Sequence, residues 1–329
     1  MNTRLAAIAQ GAARLPPDAL VDRARLVEAR RLEARLRRSP AVRGAALVLH
    51  AVAADAGDPG LELDPPLAAD RLDALAGYVA DRYVAVSAGE LTRAARERRP
   101  GQRVPVALTF DDDLSSHAAL AAPILSRHGI VATAFLCGTR RPFWWQLLQI
   151  AVDRRAVEAA ALPALPAALV DAALKRRRGA IGKLGREIER LSPAQRDDLR
   201  TRLEQTVQAP PPLSAEGRAQ LAAAGWEIGF HTLRHDVLTE LDDVELRSAL
   251  ERGRDGVGAT AVRTLAYPHG KAGQREAAAA RRAGYVAAYT GRAEVLTERT
   301  SPQLIGRLQP ESATLGRFAL QLARALSAP

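Results

Sequence analysis

Three consecutive aspartates, Asp111-Asp112-Asp113, follow the apolar run VALTF, and two histidines four residues apart, His231 and His235 in FHTLRHD, follow WEIGF. A spacing of four puts both imidazoles on one side of a helical or turn segment. Neutral imidazoles with a carboxylate suit a divalent first-row metal such as zinc. A third ligand has to come from elsewhere in the chain, leaving a position open for water. Adjacent residues of an extended strand point to opposite faces, so Asp111 and Asp112 can serve one site only where the strand ends. His50 after AALVL and His269 just past TLAYP stand in comparable positions, in a chain with six histidines. Taken singly, such a histidine pair also suits a helix surface, and an aspartate run suits a helix N-cap. Together, at strand ends, they point to a site.

The elements that must position these groups alternate. VPVALTF (104–110), a polar turn, HAALAAPILSRHG and IVATAFLCG read as strand, helix and strand, a parallel crossover. AALVLHAV is an earlier strand, 69–82 a helix, YVAVS a short strand and 88–98 a helix. WEIGF (226–230), RTLAY (263–267), YVAAY (285–289) and QLIGRL (303–308) are further short strands between helical segments. The pattern implies an α/β fold with a buried parallel sheet, whose reactive groups collect at the carboxyl ends of the strands.

Composition narrows the classes. Of 329 residues, 47% are hydrophobic and 26% charged, which excludes wholesale disorder and a membrane-embedded chain. The single cysteine, Cys137, rules out an intramolecular disulfide and a cysteine-rich zinc module; it reads as core. The start, MNTRLAAIAQGAARLPPD, has no apolar run of secretory length, and a soluble cytoplasmic protein is expected. Net charge is +10. Residues 1–43 carry ten Arg against four acids, and 140–214 carry fourteen basic against eight acidic residues, so the body is slightly negative. The sequence divides into a basic helical segment 1–43, a first part of the sheet domain 44–139, a basic helical insertion 140–213, and the remainder 214–329. The basic stretches read first as solvated helix faces, with an anionic membrane surface as a further partner; nucleic acid is not the expected one.

VALTFDDDLSSHAALAAPILSRHGIVATAFL resembles the first motif of the polysaccharide deacetylases of carbohydrate esterase family 4, the NodB-homology domain. LSAEGRAQLAAAGWEIGFHTLRHDVLTEL resembles the second, RTLAYPHGKAG the third, and AGYVAAYTG the strand after it. The leading AALVLHAV and the FWWQLL stretch resemble segments of exopolysaccharide-cluster members. The resemblance spans roughly 44–139 and 213–308. It implies a distorted (β/α) barrel with a helical insertion and an N-terminal helical tail, and hydrolysis of the N-acetyl group of a sugar, in a polysaccharide or a carrier-linked precursor. Asp112, His231 and His235 would be the ligands of a divalent metal, most simply Zn2+, with Co2+ or Ni2+ as alternatives. Asp111 would be the general base for a metal-bound water attacking the acetamide.

Three positions depart from the family pattern. Asp113 stands where glycine is usual. The third motif has His269 where Tyr or Phe is common, with Arg263 as the candidate for its arginine and Tyr267 and Pro268 as the wall beside the metal. The last motif, commonly Leu-x-His with the histidine as general acid, reads IGRL around Arg307, and an arginine does not donate a proton at neutral pH. His50 and His269 are therefore the candidates for the acid, with His50 slightly favoured; His117 and His128 read as structural. A binding protein that keeps the fold and has lost catalysis is the second reading, and a basic surface for nucleic acid or membrane the third.

Overall fold

A computed structural model describes residues 17–139, 141–158, 162–257 and 262–328. In chain order the strands are β1 (Arg43–Leu49), β2 (Val52–Ala53), β3 (Leu67–Ala68), β4 (Val84–Ala85), β5 (Pro105–Asp111), β6 (Thr133–Leu136), β7 (Glu227–Phe230), β8 (Thr264–Ala266), β9 (Ala287–Tyr289) and β10 (Leu296–Thr297). The helices are α1 (Pro17–Arg38), α2 (Ala69–Arg82), α3 (Ala88–Glu97), α4 (Ala122–Arg127), α5 (Trp144–Asp153), α6 (Ala167–Leu174), α7 (Ala180–Glu189), α8 (Pro193–Thr206), α9 (Ala215–Ala223), α10 (Asp243–Glu251), α11 (Gln274–Arg282) and α12 (Leu315–Ser327).

The main sheet runs β10-β1-β5-β6-β7-β8-β9, with β4 beside β5. All pairings are parallel except β10 on β1. β5 shows why the order takes this form: its seven residues are all buried, so the apolar run sits at the centre with neighbours on both sides. The sheet curls until segment 305–308 joins its two sides. Ile305 N–H donates to Ala288, and Leu308 N–H donates to Ala46. The distorted barrel thus carries its strand ends around one mouth.

Sequence periodicity located most elements to within a few residues. It did not find the antiparallel edge β10, whose two residues pair Arg43–Gly44 with Thr297–Leu296.

Helix α1 is not a loose extension. Its buried Glu33 accepts hydrogen bonds from Tyr78 and Tyr83 (2.6 and 2.9 Å) and pairs with Arg82 at 2.8 Å. Ala29 and Leu36 join the barrel core. The stretch spanning α5 to α8 encloses an apolar core of its own, built on Leu148, Val170, Leu184, Ile188 and Leu203. Ser192 caps α8, its side chain accepting from Gln195 N–H while Pro193 takes the first helical position. Among the described residues, no helix is long and apolar enough to cross a membrane.

Candidate metal and catalytic centre

β5 delivers Asp111 as its last residue, and Asp112 follows at φ +71. That left-handed turn breaks the strand alternation, so consecutive carboxylates reach one cleft. Non-glycine residues tolerate this conformation at a cost, and aspartate tolerates it better than most. Thr232 (φ +59), His235 (φ +53) and His269 (φ +56) are held in the same region. Four such residues gathered at one barrel mouth concentrate backbone strain there, as strained residues do at functional sites.

β7 ends at Phe230, and His231 follows. Its Nδ1–H donates to the Ala266 carbonyl at 2.8 Å, which leaves the Nε2 lone pair facing the cleft. His231 Nε2 lies 3.1 Å from His235 Nε2 and 3.8 Å from Asp112 Oδ1; His235 Nε2 lies 3.6 Å from Asp112 Oδ1. Ligand atoms at zinc–nitrogen bond lengths around a tetrahedral ion are about 3.3 Å apart, so these three are spaced to share one cation. Burial lowers the His231 pKa to about 4 and pushes that of His235 well below its usual value, keeping both rings neutral. Asp112 Oδ1 is buried with no hydrogen-bond partner. Burial, reinforced by Asp111, Asp64 and Asp113, drives its carboxyl well above the usual range. A cation would resolve all three features, and the residues fit one.

Asp111 is differently placed. Arg307 grips it with two hydrogen bonds, Nη1 to Oδ1 at 2.6 Å and Nη2 to Oδ2 at 2.7 Å. Both side chains are buried. Burial raises the Asp111 pKa, but Arg307, helped by His231, outweighs it and holds the carboxyl far below the ordinary range. Arg307 is fixed in turn by the Thr290 carbonyl (3.2 Å), the Thr109 hydroxyl (3.2 Å) and the face of Phe135. The last motif therefore supplies, in place of a histidine, the cation that holds the Asp111 carboxylate.

Asp113 turns away from the cleft. Its carboxylate accepts from Cys137 N–H (2.9 Å) and Gly138 N–H (3.1 Å), so it ties the turn after β5 to the end of β6. Burial, partly offset by these bonds, raises its pKa to about 6. The positive φ falls on Asp112, one position earlier than the family's glycine.

The cleft has a volume of about 610 Å³ and is lined by both aspartates, His231, His235, His50, His269 and Arg307. His50, after β1, is half-buried there beside Asp64. His269 packs its ring on His235 (centroids 4.7 Å) and points Nδ1 at Glu189 Oε1, 3.5 Å away on α7. Phe143 and Trp145 stack together, and Trp145 covers the other side of His235 at 5.1 Å.

Three predicted residues are not brought to the cleft. Arg263 is exposed at the amino-terminal end of β8, the wrong end of the strand, and Arg307 holds Asp111 instead. Tyr267 is fully buried, its hydroxyl donating to Gln303 at 2.9 Å, and Pro268 is buried at the start of the turn that carries His269. These two support the wall from behind. Asp64, Glu189, Arg186 and the Trp144-Trp145 pair line the cleft without having been singled out as site residues. Asp64 sat in a segment legible only as a Gly/Pro-rich loop, and the others in the insertion.

Residues 203–288 match the family model for polysaccharide deacetylase. Comparison with curated proteins finds no match. Among solved structures, the Streptococcus pyogenes deacetylase PplD in complex with acetate is similar at TM-score 0.59 and 15% identity, covering 88% of this chain and 100% of that one. IcaB from Ammonifex degensii is similar at TM-score 0.53 and 17% identity, covering 87% and 97%. The putative polysaccharide deacetylase BA0330 from Bacillus anthracis is similar at TM-score 0.53 and 14% identity, covering 86% and 69%. Residues 203–288 therefore match a polysaccharide deacetylase model, and the chain has the fold of these deacetylase structures.

Proposed function

We propose that the protein removes the acetyl group from an N-acetylated sugar with the help of a divalent cation held by Asp112, His231 and His235. The observation that carries this reading is the pairing of a cation-shaped donor set with a separate, arginine-held carboxylate at one barrel mouth. Two nitrogens and one oxygen suit zinc, with cobalt or nickel as alternatives. When bound, the cation supplies Lewis acidity, polarising the acetamide oxygen and acidifying the attacking water.

Asp111 accepts the proton of that water. The arginine that fixes its two oxygens keeps it ionised and aimed, at the expense of some intrinsic basicity. Proton delivery to the departing amine falls to His50, which lines the cleft free of any pairing to the metal ligands, while His269 is committed to His235 and Glu189. Asp113, turned toward β6, takes no part, so its presence in place of glycine is no argument against turnover.

The basic insertion is a poor fit to a nucleic-acid surface. Arg141, Arg176, Arg178, Arg190 and Arg202 are each paired to a carboxylate. The decisive experiment is acetate release from N-acetylglucosamine oligomers and from nucleotide- and lipid-linked N-acetyl sugars, with zinc, cobalt or nickel, beside Asp111→Asn. Metal-dependent acetate lost in the variant establishes the deacetylase. Metal bound with no turnover of any acetamide sugar would make the protein a binding module.

A further inference from the structure

Two cations line the cleft, Arg307 and Arg186. Arg307 is consumed by Asp111. Arg186 is exposed and, among the described residues, has no carboxylate within 4.0 Å and no hydrogen-bond acceptor. Of the acids lining the same cleft, Glu189 faces His269, Asp111 is held by Arg307, Asp112 belongs to the donor set, and Asp64 lies half-buried beside His50.

Its position is set by α7. Ile181, Leu184 and Ile188 anchor that helix in the core of the insertion, so Gly182, Gly185, Arg186 and Glu189 form its cleft-facing side. Glu189 reaches His269, which lies on His235. Arg186 stands one helical turn before Glu189 on α7, an offset of about 5–6 Å between neighbouring side chains on a helix.

The space beside the guanidinium is also open. A Cβ on Gly185 would meet Leu63 Cδ2 at 2.7 Å, so packing explains that glycine. A Cβ on Gly182 would meet nothing nearer than Arg186 Nη1 at 3.9 Å. Glycine within a helix costs up to about 1 kcal/mol against alanine, and no packing contact at Gly182 requires it. Lys271, exposed and without an ion pair among the described residues, follows Gly270, which lines the cleft.

We infer that Arg186, with Gly182 leaving room beside it, binds a phosphate ester carried by the substrate sugar. The inference rests on the deacetylase reading for the identity of the sugar and adds the substrate class: a glycosyl phosphate or diphosphate in preference to a neutral chain. A guanidinium recognises such a group by paired, charge-assisted hydrogen bonds.

Binding to the metal-stripped full chain separates this from turnover. Titration with N-acetylglucosamine and with its 1-phosphate should show the phosphate bound about 10- to 100-fold more tightly. Arg186→Gln should erase the difference, Arg186→Lys should restore part of it, and Gly182→Leu should weaken the phosphate by filling its space. Arg177→Gln, an exposed change elsewhere on the insertion, should preserve it. A nucleotide diphosphate sugar and a short polyprenyl diphosphate sugar, run in parallel, distinguish the soluble from the lipid source of the phosphate. Equal affinity for neutral and phosphorylated sugar, or a preference that survives Arg186→Gln, overturns the inference. So does tighter binding of N-acetylmuramic acid, which would make the subsite one for a carboxylate. Failure to release acetate from any sugar would strike the deacetylase reading while leaving a phosphate preference standing.

Discussion

Arg307 and Asp111, 196 positions apart in the chain, form a buried two-bond pair at the seam where the barrel closes. Asp111 ends the central strand, and Arg307 comes from the segment that joins β9 to β1. The pair therefore reports on barrel closure and on the proposed base together. Arg307→Gln leaves a carboxylate buried without its counter-charge, which should lower unfolding free energy by about 3–5 kcal/mol. Combining it with Asp111→Asn should recover much of that loss, because the stranded charge is gone. Chemical denaturation of the two single variants and the double variant measures it. Additive losses would mean that the pair is not coupled.

Asp112 should respond in opposite directions to two measurements. Its unpartnered, buried carboxylate is unfavourable in the metal-free protein, so Asp112→Asn should leave that form as stable as the parent or about 1–2 kcal/mol more stable. The same change should abolish tight zinc binding, read by calorimetric titration. His231→Ala should also abolish it, with no such gain. Retained zinc affinity in both variants would remove them from the ligand set.

His50→Gln should reduce kcat by about 10²–10⁴, the range of general acid–base catalysis, while zinc affinity stays within a few-fold. A matching loss of zinc would make His50 a ligand, and unchanged kcat would return the proton-donor role to His269.

The stability of the fold should decline in acid partly through His117. This ring is fully buried against Phe110, faces the His50 carbonyl with Nε2 at 3.3 Å, and has no partner for Nδ1. Burial lowers its pKa from 6.5 to about 4. The unfolded chain therefore binds the proton first. Stability is fully present above pH 6.5 and is lost as pH falls toward 4, by roughly 3 kcal/mol from this group. Asp113, raised to about 6, works in the opposite sense, so the contribution has to be read as a difference. His117→Gln should show a shallower decline than the parent between pH 7 and 4. Parallel curves would exclude His117 as the cause.

Asp113→Gly should cost about 1–3 kcal/mol through the two freed N–H groups at Cys137 and Gly138. Zinc affinity should hardly change, which calorimetry on the folded variant tests.

Asp111, Asp112, His231, His235, His50 and His269 were legible because a parallel strand announces its carboxyl end, and chemistry gathers there. Arg263 misled because closeness in sequence to the third motif is not closeness in space. It precedes β8, and a strand rising about 3.3 Å per residue carries the chain some 10 Å from there to the cleft. Arg307 belongs to a segment whose place depends on the sheet curling shut, a property of the whole barrel that no local pattern encodes. Glu189 and Arg186 depend on how the insertion docks. Its helical character was readable from composition, but the direction in which α7 faces the mouth was not.

The clasp between the first and last helices has a consequence for how the chain is made. Asp22 on α1 meets Thr314 and the Gly316 N–H at the start of α12, nearly three hundred positions away, and Glu28 meets Arg324. Glu33 can meet Tyr78, Arg82 and Tyr83 early in synthesis, but the contact of α1 with α12 must wait for nearly all of the chain between them. Until then Ala29, Leu36 and the edge of β1 face solvent, and pairings that distant form slowly. Each molecule thus spends its synthesis with that flank of α1 uncovered, and demand on the cell's folding helpers should be set by the clasp between these two helices rather than by the barrel mouth.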